Sequence, residues 1–179
     1  QTKDKRNRVF VVHRIDEDTS GVLLFAKNDE LREVLQNNWN DLVIDRGYYA
    51  VVDGVMKEKE GTIKSYLKSN SLNLMYSTKD KKNGQLAVTH YKVLKENEKY
   101  SLLDVHIESG RKNQIRVHLG DLGHFVIGDD KYGKPTNPIG RLGLHASLLI
   151  IKHPVKGKVL SFESPIPHSF LEVIKNHKK

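Results

Sequence analysis

His13-Arg14-Ile15-Asp16-Glu17-Asp18-Thr19-Ser20-Gly21 is a short polar turn that runs straight into the apolar stretch Val22-Leu23-Leu24-Phe25-Ala26. A polar turn feeding a buried segment can hold a side chain rigidly at the mouth of a cleft. The turn carries Asp16 two residues after Arg14. An Asp followed by Thr-Ser-Gly also serves as a simple turn former, bonding the turn's own amides. Glu17 and Asp18 compete for that humbler role, and Arg14 can be a plain surface cation.

Outward from the turn, the apolar run 22–26 predicts a strand covered on both faces. Asn28 with Asp29 and Glu30 predicts a capped helix start, and Leu31, Val34, Leu35 and Trp39 share one face of it. Strands are expected at 46–52, 72–77, 86–94, 100–107, 144–152 and 159–163. Residues 57–61 read as a charged linker, and 62–67 fit no single pattern. Asn83-Gly84 favours positive φ and predicts a hairpin that pairs 86–94 back on 72–77. Residues 112–122 have helical spacing in Ile115, Leu119 and Leu122, with Gly123 at the C-cap position. Residues 128–140 read as a Gly/Pro-rich loop. Ser169 and Glu172 form a capping-box pattern for a last short helix. Residues 1–8 read as a loop or frayed end. The sum is an α+β domain with a largely antiparallel sheet, 1–179 forming a single domain.

The totals narrow the chemistry. The 179 residues are 37% hydrophobic, enough for a full core. With no cysteine, disulfides, thiolate metal sites and thiol catalysis are excluded, which fits a reducing, cytoplasmic setting. Apolar runs are strand-length, so no helix is expected to span a membrane. The net charge of +8 is consistent with a lysine-rich surface or with a polyanionic partner. The 9 histidines show neither His-Glu-x-x-His nor His-x-x-x-His spacing, and no metal site is expected. Gly128-Asp129-Asp130 could be metal-binding acids but reads more simply as a tight turn. His145 and His153 flank one strand, as structural or RNA-facing groups.

About a hundred residues after Asp16 comes the second dense stretch, Gly110-Arg111-Lys112-Asn113-Gln114-Ile115-Arg116-Val117-His118. Gly110 ahead of a helix leaves amides that can receive a phosphate. Arg111 and Lys112 add charge and Asn113 and Gln114 add hydrogen bonds, an arrangement that suits an RNA backbone. Arg116 on its own reads equally as an exposed helical arginine. Tyr48 and Tyr49 are adjacent on a strand and face opposite ways, so one belongs to the core and the other can stack on a base.

Taken together these segments resemble the RluA-type pseudouridine synthases. The first signature is His13-Arg14-Ile15-Asp16 with Thr19-Ser20-Gly21-Val22-Leu23-Leu24-Phe25-Ala26-Lys27, with Ile15 where Leu is usual. The second is Gly110-Arg111 with Gln114-Ile115-Arg116-Val117-His118-Leu119, then Gly128-Asp129 and Tyr132-Gly133. Leu144-His145-Ala146, His153-Pro154 and Pro165-Ile166-Pro167 resemble the family's C-terminal strands. The resemblance implies a mixed, mainly antiparallel sheet with a central catalytic cleft and a few short helices. It implies Asp16 as the nucleophile toward a uridine in RNA, an Arg116 salt bridge to it, and Tyr48 against the uracil. Arg14 would enter the RNA stack, and Ile115 would lie under the ring. It implies no cofactor and no metal; a monomer, and ribosomal RNA rather than transfer RNA as substrate, are further expectations. The family's usual strand ending in Asn-Lys-Pro before the first signature has no counterpart here, so an N-terminal strand is expected to be missing. A catalytically silent RNA-binding or ribosome-assembly module on the same scaffold is the competing reading. A glycosidase would call for two well-separated paired carboxylates, which the cluster at 16–18 does not offer.

Overall fold

A computed structural model of the chain describes residues 8–134 and 136–175. The expected loop at the extreme N-terminus lies, for residues 1–7, outside them. The elements in order are β1 (Phe10–Val11), β2 (Ser20–Gly21), β3 (Phe25–Ala26), α1 (Asp29–Asn37), α2 (Trp39–Leu42), β4 (Val43–Asp53) and β5 (Glu60–Ser69). There follow β6 (Met75–Thr78), β7 (Gln85–Glu96), β8 (Tyr100–Ile107), α3 (Gln114–Asp121), β9 (Leu144–Lys152), β10 (Val159–Glu163) and α4 (His168–Ile174). The main sheet runs β10-β9-β4-β8-β7-β5-β6, every one of these neighbours antiparallel. The fold is therefore α+β with a mainly antiparallel sheet and short helices.

Period-2 alternation gives the sheet two buried faces. Ala50, Val52, Leu103 and Val105 point to the face that α3 covers with Ile115 and Leu119. Val51 and Leu102 point the other way, onto Phe170 and Ile174 of α4. A third cluster joins Val12, Ala26 and Leu35 to Leu149 and Ile151 of β9. The two central strands are thus buried on both sides, and the cleft described below is walled by the α3 face.

The one parallel pairing positions the key turn. β10 takes residues 148–152 on one edge of β9, and β2 takes the remaining stretch of that edge, Ser20 opposite His145 and Gly21 opposite Ala146. Gly21 has φ +115°, and a Cβ there would stand 2.0 Å from the Ala146 carbonyl oxygen. Only glycine lets the two backbones approach this closely.

Several local expectations are corrected. The run 22–26 is not a continuous strand buried on both faces. After the Val22 amide bonds the Ala146 carbonyl, the chain leaves β9 and β3 pairs with β1, with Leu23 and Phe25 exposed. The linker ends earlier than expected, at Glu60, and 62–67 is the middle of β5. β6 starts at Met75, because Asn70 accepts the amides of Leu72 and Leu74 in a turn. β6 and β7 do not pair with each other: both flank β5. Asp80 caps that connection at the amides of Lys82 and Asn83, and neither Asn83 nor Gly84 takes positive φ. Ser169 lies inside α4, not at its cap. Pro167 stands at the N-cap, and its carbonyl accepts the amides of Phe170 and Leu171.

Replacing Gly21 with Ala is expected to cost roughly 2–4 kcal/mol, from the backbone collision and the unfavourable φ together. Urea unfolding measures it. A change under about 0.5 kcal/mol would mean that β2 does not seat on β9 in this way.

Candidate active site

The Asp16 turn is clamped at both ends. The Thr19 amide bonds the Asp16 carbonyl at 3.0 Å, closing the turn. Downstream, Ser20 Oγ lies 2.6 Å from His145 Nδ1 and accepts from Arg141 Nη2 at 2.6 Å, while His145 Nε2 reaches Ser164. Upstream, His13 Nε2 accepts the Leu24 amide and the ring stacks on Trp39 with centroids 4.6 Å apart. Burial, helped by the Arg46 charge, pushes the His13 imidazole down to about 4, so it is neutral at ordinary pH. His145 is buried and bonded on both ring nitrogens, to Ser20 and Ser164. His153 caps its own turn, accepting the amides of Val155 and Lys156.

Asp16 Oδ2 accepts a hydrogen bond from Asn113 Nδ2 at 2.8 Å and lies 3.7 Å from Arg116 Nη1. Its carboxylate remains partly open to the cleft, with 25% of the side chain exposed. Arg116 is buried and makes its stronger bonds elsewhere: Nε and Nη2 fork onto the two oxygens of Asp129 at 2.7 and 2.6 Å. Asp129 also accepts the amides of Lys131 and Tyr132. The Tyr132 ring lies 5.1 Å from the guanidinium, a cation–π contact. Burial alone would drive Asp129 toward its neutral form. The Arg116 bonds and the two amides outweigh burial and hold the carboxyl below the usual carboxylate range. Arg116 is shifted the complementary way: burial opposes its charge, and Asp129, then Asp16, more than restore it.

Asn113 is oriented by the same network. It sits just ahead of α3 in the left-handed region, φ +52°, where Asn is tolerated. Its Oδ1 accepts from the Tyr132 hydroxyl at 3.0 Å, which turns Nδ2 toward Asp16. The Tyr132 hydroxyl is fixed in turn by the Met75 amide.

Asp16, Tyr48, Arg14, Ile115, Arg111, Lys112 and Gln114 all line one cleft of about 480 Å³. Arg116 does not line the cleft and reaches it through its contact with Asp16. This volume falls in the range of small-ligand sites. A β-bulge at Gly47/Tyr48 precedes the tyrosine, and burial raises the Tyr48 phenol above its ordinary value. Tyr49 faces the opposite cluster, against the α4 side. Arg14 is exposed, Arg111 Nε donates to the Leu86 carbonyl, and Lys112 Nζ to that of Asn73. Gln114 is buried and committed to the protein: Nε2 donates to Val88 O and Thr89 Oγ1, and Oε1 accepts from Ser109 and the Arg111 amide. The Arg111 amide is therefore not free to cradle a phosphate as the glycine-before-helix pattern suggests. Among the described residues, no three His, Asp or Glu side chains come together as a metal site requires.

Two members of this network were not anticipated. Asp129 reads from sequence as part of a tight turn, and Gly128 does make one at φ +67°. The carboxylate's partner is 13 residues away in the chain and could only be inferred from the need of a buried arginine for a counterion. Tyr132 carries no local sign of its reach to Asn113.

Residues 1–121 match the RNA pseudouridylate synthase family. The chain belongs to that family. It is 40% identical over 175 residues to a Bacillus subtilis protein named uncharacterized RNA pseudouridine synthase YlyB, covering 96% of this chain and 57% of the relative. It is 36% identical over 171 residues to ribosomal large subunit pseudouridine synthase D of Zymomonas mobilis, covering 89% of this chain and 53% of the relative. The chain thus spans little more than half the length of these relatives. Among solved structures, human RNA pseudouridylate synthase domain containing 1 superposes with a TM-score of 0.77 at 26% identity, covering 88% of this chain and 69% of that one.

Asp129→Asn is expected to destabilise the fold by about 3 kcal/mol, because it leaves a buried guanidinium without its forked partner. Asp16→Asn, at a longer and more exposed contact, is expected to cost about 1 kcal/mol or less. Because the Asp129 carboxyl is held low in the folded state, its contribution is present above the unfolded value and lost as pH falls through the folded one. Asp129→Asn should therefore also flatten the acid-side loss of stability. Urea melts of both variants between pH 7 and 3 test the ordering; equal costs, or an unchanged acid slope, would contradict it.

Proposed function

We propose that this chain is the catalytic part of an RNA pseudouridine synthase, an isomerase, with residues 1–179 as one catalytic domain and Asp16 as its nucleophile. The observation that carries this reading is the Asp16 carboxylate held between the Asn113 amide and the Arg116 guanidinium at the wall of a cleft that Tyr48 also lines. A carboxylate must be ionised and within reach of the ring to attack. Arg116 and Asn113 both meet its Oδ2, and the part of the side chain left exposed faces the cleft a base would fill.

In the reaction, the bond from ribose C1′ to uracil N1 breaks and a bond from C1′ to C5 forms. Asp16 adds to C1′ or to C6 of the base and leaves again, the C5 proton departs once the new bond is made, and N1, freed from the sugar, takes up a proton. Atoms and electrons balance within the nucleotide, so no co-substrate is consumed. Extruding the uridine from its stack costs on the order of a few kcal/mol. Stacking on Tyr48 returns about 1–3 kcal/mol of that. Arg14, exposed beside the cleft, fills the vacated step in the RNA. Ile115 supports the ring. Arg111 and Lys112 attract the backbone, and Gln114 fixes the Arg111 amide. The net charge of +8 supports a polyanionic substrate. The relatives named for the ribosomal large subunit favour ribosomal over transfer RNA.

Asp16→Asn should keep RNA affinity within about threefold while abolishing tritium release from [5-³H]uridine-labelled RNA prepared from cells lacking the gene. Release by the folded variant at a rate comparable to the parent would remove Asp16 from this role. No release by the parent would leave the silent RNA-binding reading.

A further inference from the structure

Arg46 is a cation in the cleft that the chemistry above does not use. It lies on β4 two residues before Tyr48 and is half-buried. One of its nitrogens, Nη2, donates to the Glu108 carbonyl at 3.1 Å. Its Nε is buried with no partner. Its Nη1 lies against Gly110, so closely that a Cβ there would stand 2.4 Å away. Among the described residues no carboxylate pairs with it. Its neighbour Asp45 is bonded to His106 and the Glu108 carboxylate to His90. The cation nearest in effect is Arg111, whose charge, after burial, also disfavours that of Arg46. Among the described residues, the Arg111 side chain bonds to the Leu86 carbonyl and to no carboxylate.

Two guanidiniums therefore line one cleft, and among the described residues their hydrogen bonds go to backbone carbonyls, with Asp45 and Tyr48 favouring the Arg46 charge from a distance. Such an arrangement is costly until an anion enters between them. A guanidinium fork matches the paired oxygens of a phosphate. Gly110, lacking a side chain, makes room for the Arg46 guanidinium at the cleft.

We propose that Arg46 and Arg111 form a phosphate-binding subsite at the cleft, which receives a backbone phosphodiester next to the nucleotide held over Tyr48. The inference rests on the reading of the cleft as a uridine site and adds to it a residue that fixes the strand's register there. The cleft then holds one nucleotide from two sides, the base against Tyr48 and the phosphate on Arg46, which orients the sugar toward Asp16.

The test reads binding alone, in an Asp16→Asn background, so that turnover does not enter. The probe is a short RNA hairpin with a single loop uridine, made in versions in which one phosphate flanking that uridine at a time is an uncharged methylphosphonate. For one of these versions, affinity should fall about tenfold with Arg46 present and not further with Arg46→Gln. Arg46→Gln should also lower the slope of log affinity against log salt by about 0.7, as for one lost contact to a single strand. Gly110→Ala, whose Cβ displaces the guanidinium and leaves its charge in the chain, should abolish the same methylphosphonate effect if Arg46→Gln proves unstable. The same methylphosphonate penalty and the same salt slope with and without Arg46 would overturn the proposal. Failure of the parent to release tritium would instead count against the uridine reading, and the two results are separable.

Discussion

Arg116 is shared between two carboxylates, and the site is built around that sharing. A buried guanidinium is tolerable only with an anion in contact, and Asp129 supplies it with two short bonds. Asp129 is secured by backbone amides of its own loop, so the arginine is fixed from behind. Its remaining nitrogen then faces Asp16 without being consumed by it, at 3.7 Å. Asp16 thus gains a nearby positive charge yet keeps an oxygen exposed to the cleft. An arginine paired only with Asp16 would fork onto both oxygens and mask the carboxylate from the cleft.

The sheet brings these groups together from far apart in the chain. β9 collects the Asp16 turn along one edge through β2 and holds β4, with Tyr48 and Arg46, along the other. α3 lies over the same face through Ile115 and Leu119, which places Asn113 and Arg116 opposite the turn. The loop after α3 returns with Asp129 and Tyr132. Each of these segments is anchored by backbone pairing or close packing. The geometry at Asp16 is therefore a property of the core, as a preorganised site requires.

Much of this was legible in the residues. The strands with clear alternation or strong apolar content, the α1 cap at Asn28 and the Gly123 C-cap follow from local rules. The segments that went astray are those where tertiary pairing overrides local pattern. The run 22–26 looks like one strand, yet the chain leaves β9 after Val22, which no local propensity encodes. Asn83-Gly84 carries a hairpin signature, but β5 inserts between the strands it would have joined. At the site, the two signature stretches announced themselves by their density of polar groups beside apolar runs. Asp129 and Tyr132 did not, because their meaning lies in the partner that only folding brings near. Arg46 carries no local sign either: it follows Asp45 in a strand, and only the folded sheet turns it toward the cleft.

The proposed chemistry turns on the Asp16 carboxylate, held by Asn113 beside Arg116, acting on a uridine lifted into the cleft. Mapping pseudouridine across all cellular RNA in a strain lacking the gene, then in the same strain supplied with the parent protein or with Asp16→Asn, puts that to the question. The account predicts that one or a few positions, in ribosomal RNA, lose the modification, regain it with the parent and stay unmodified with Asp16→Asn. An unchanged map on deletion, or full restoration by Asp16→Asn, would contradict it.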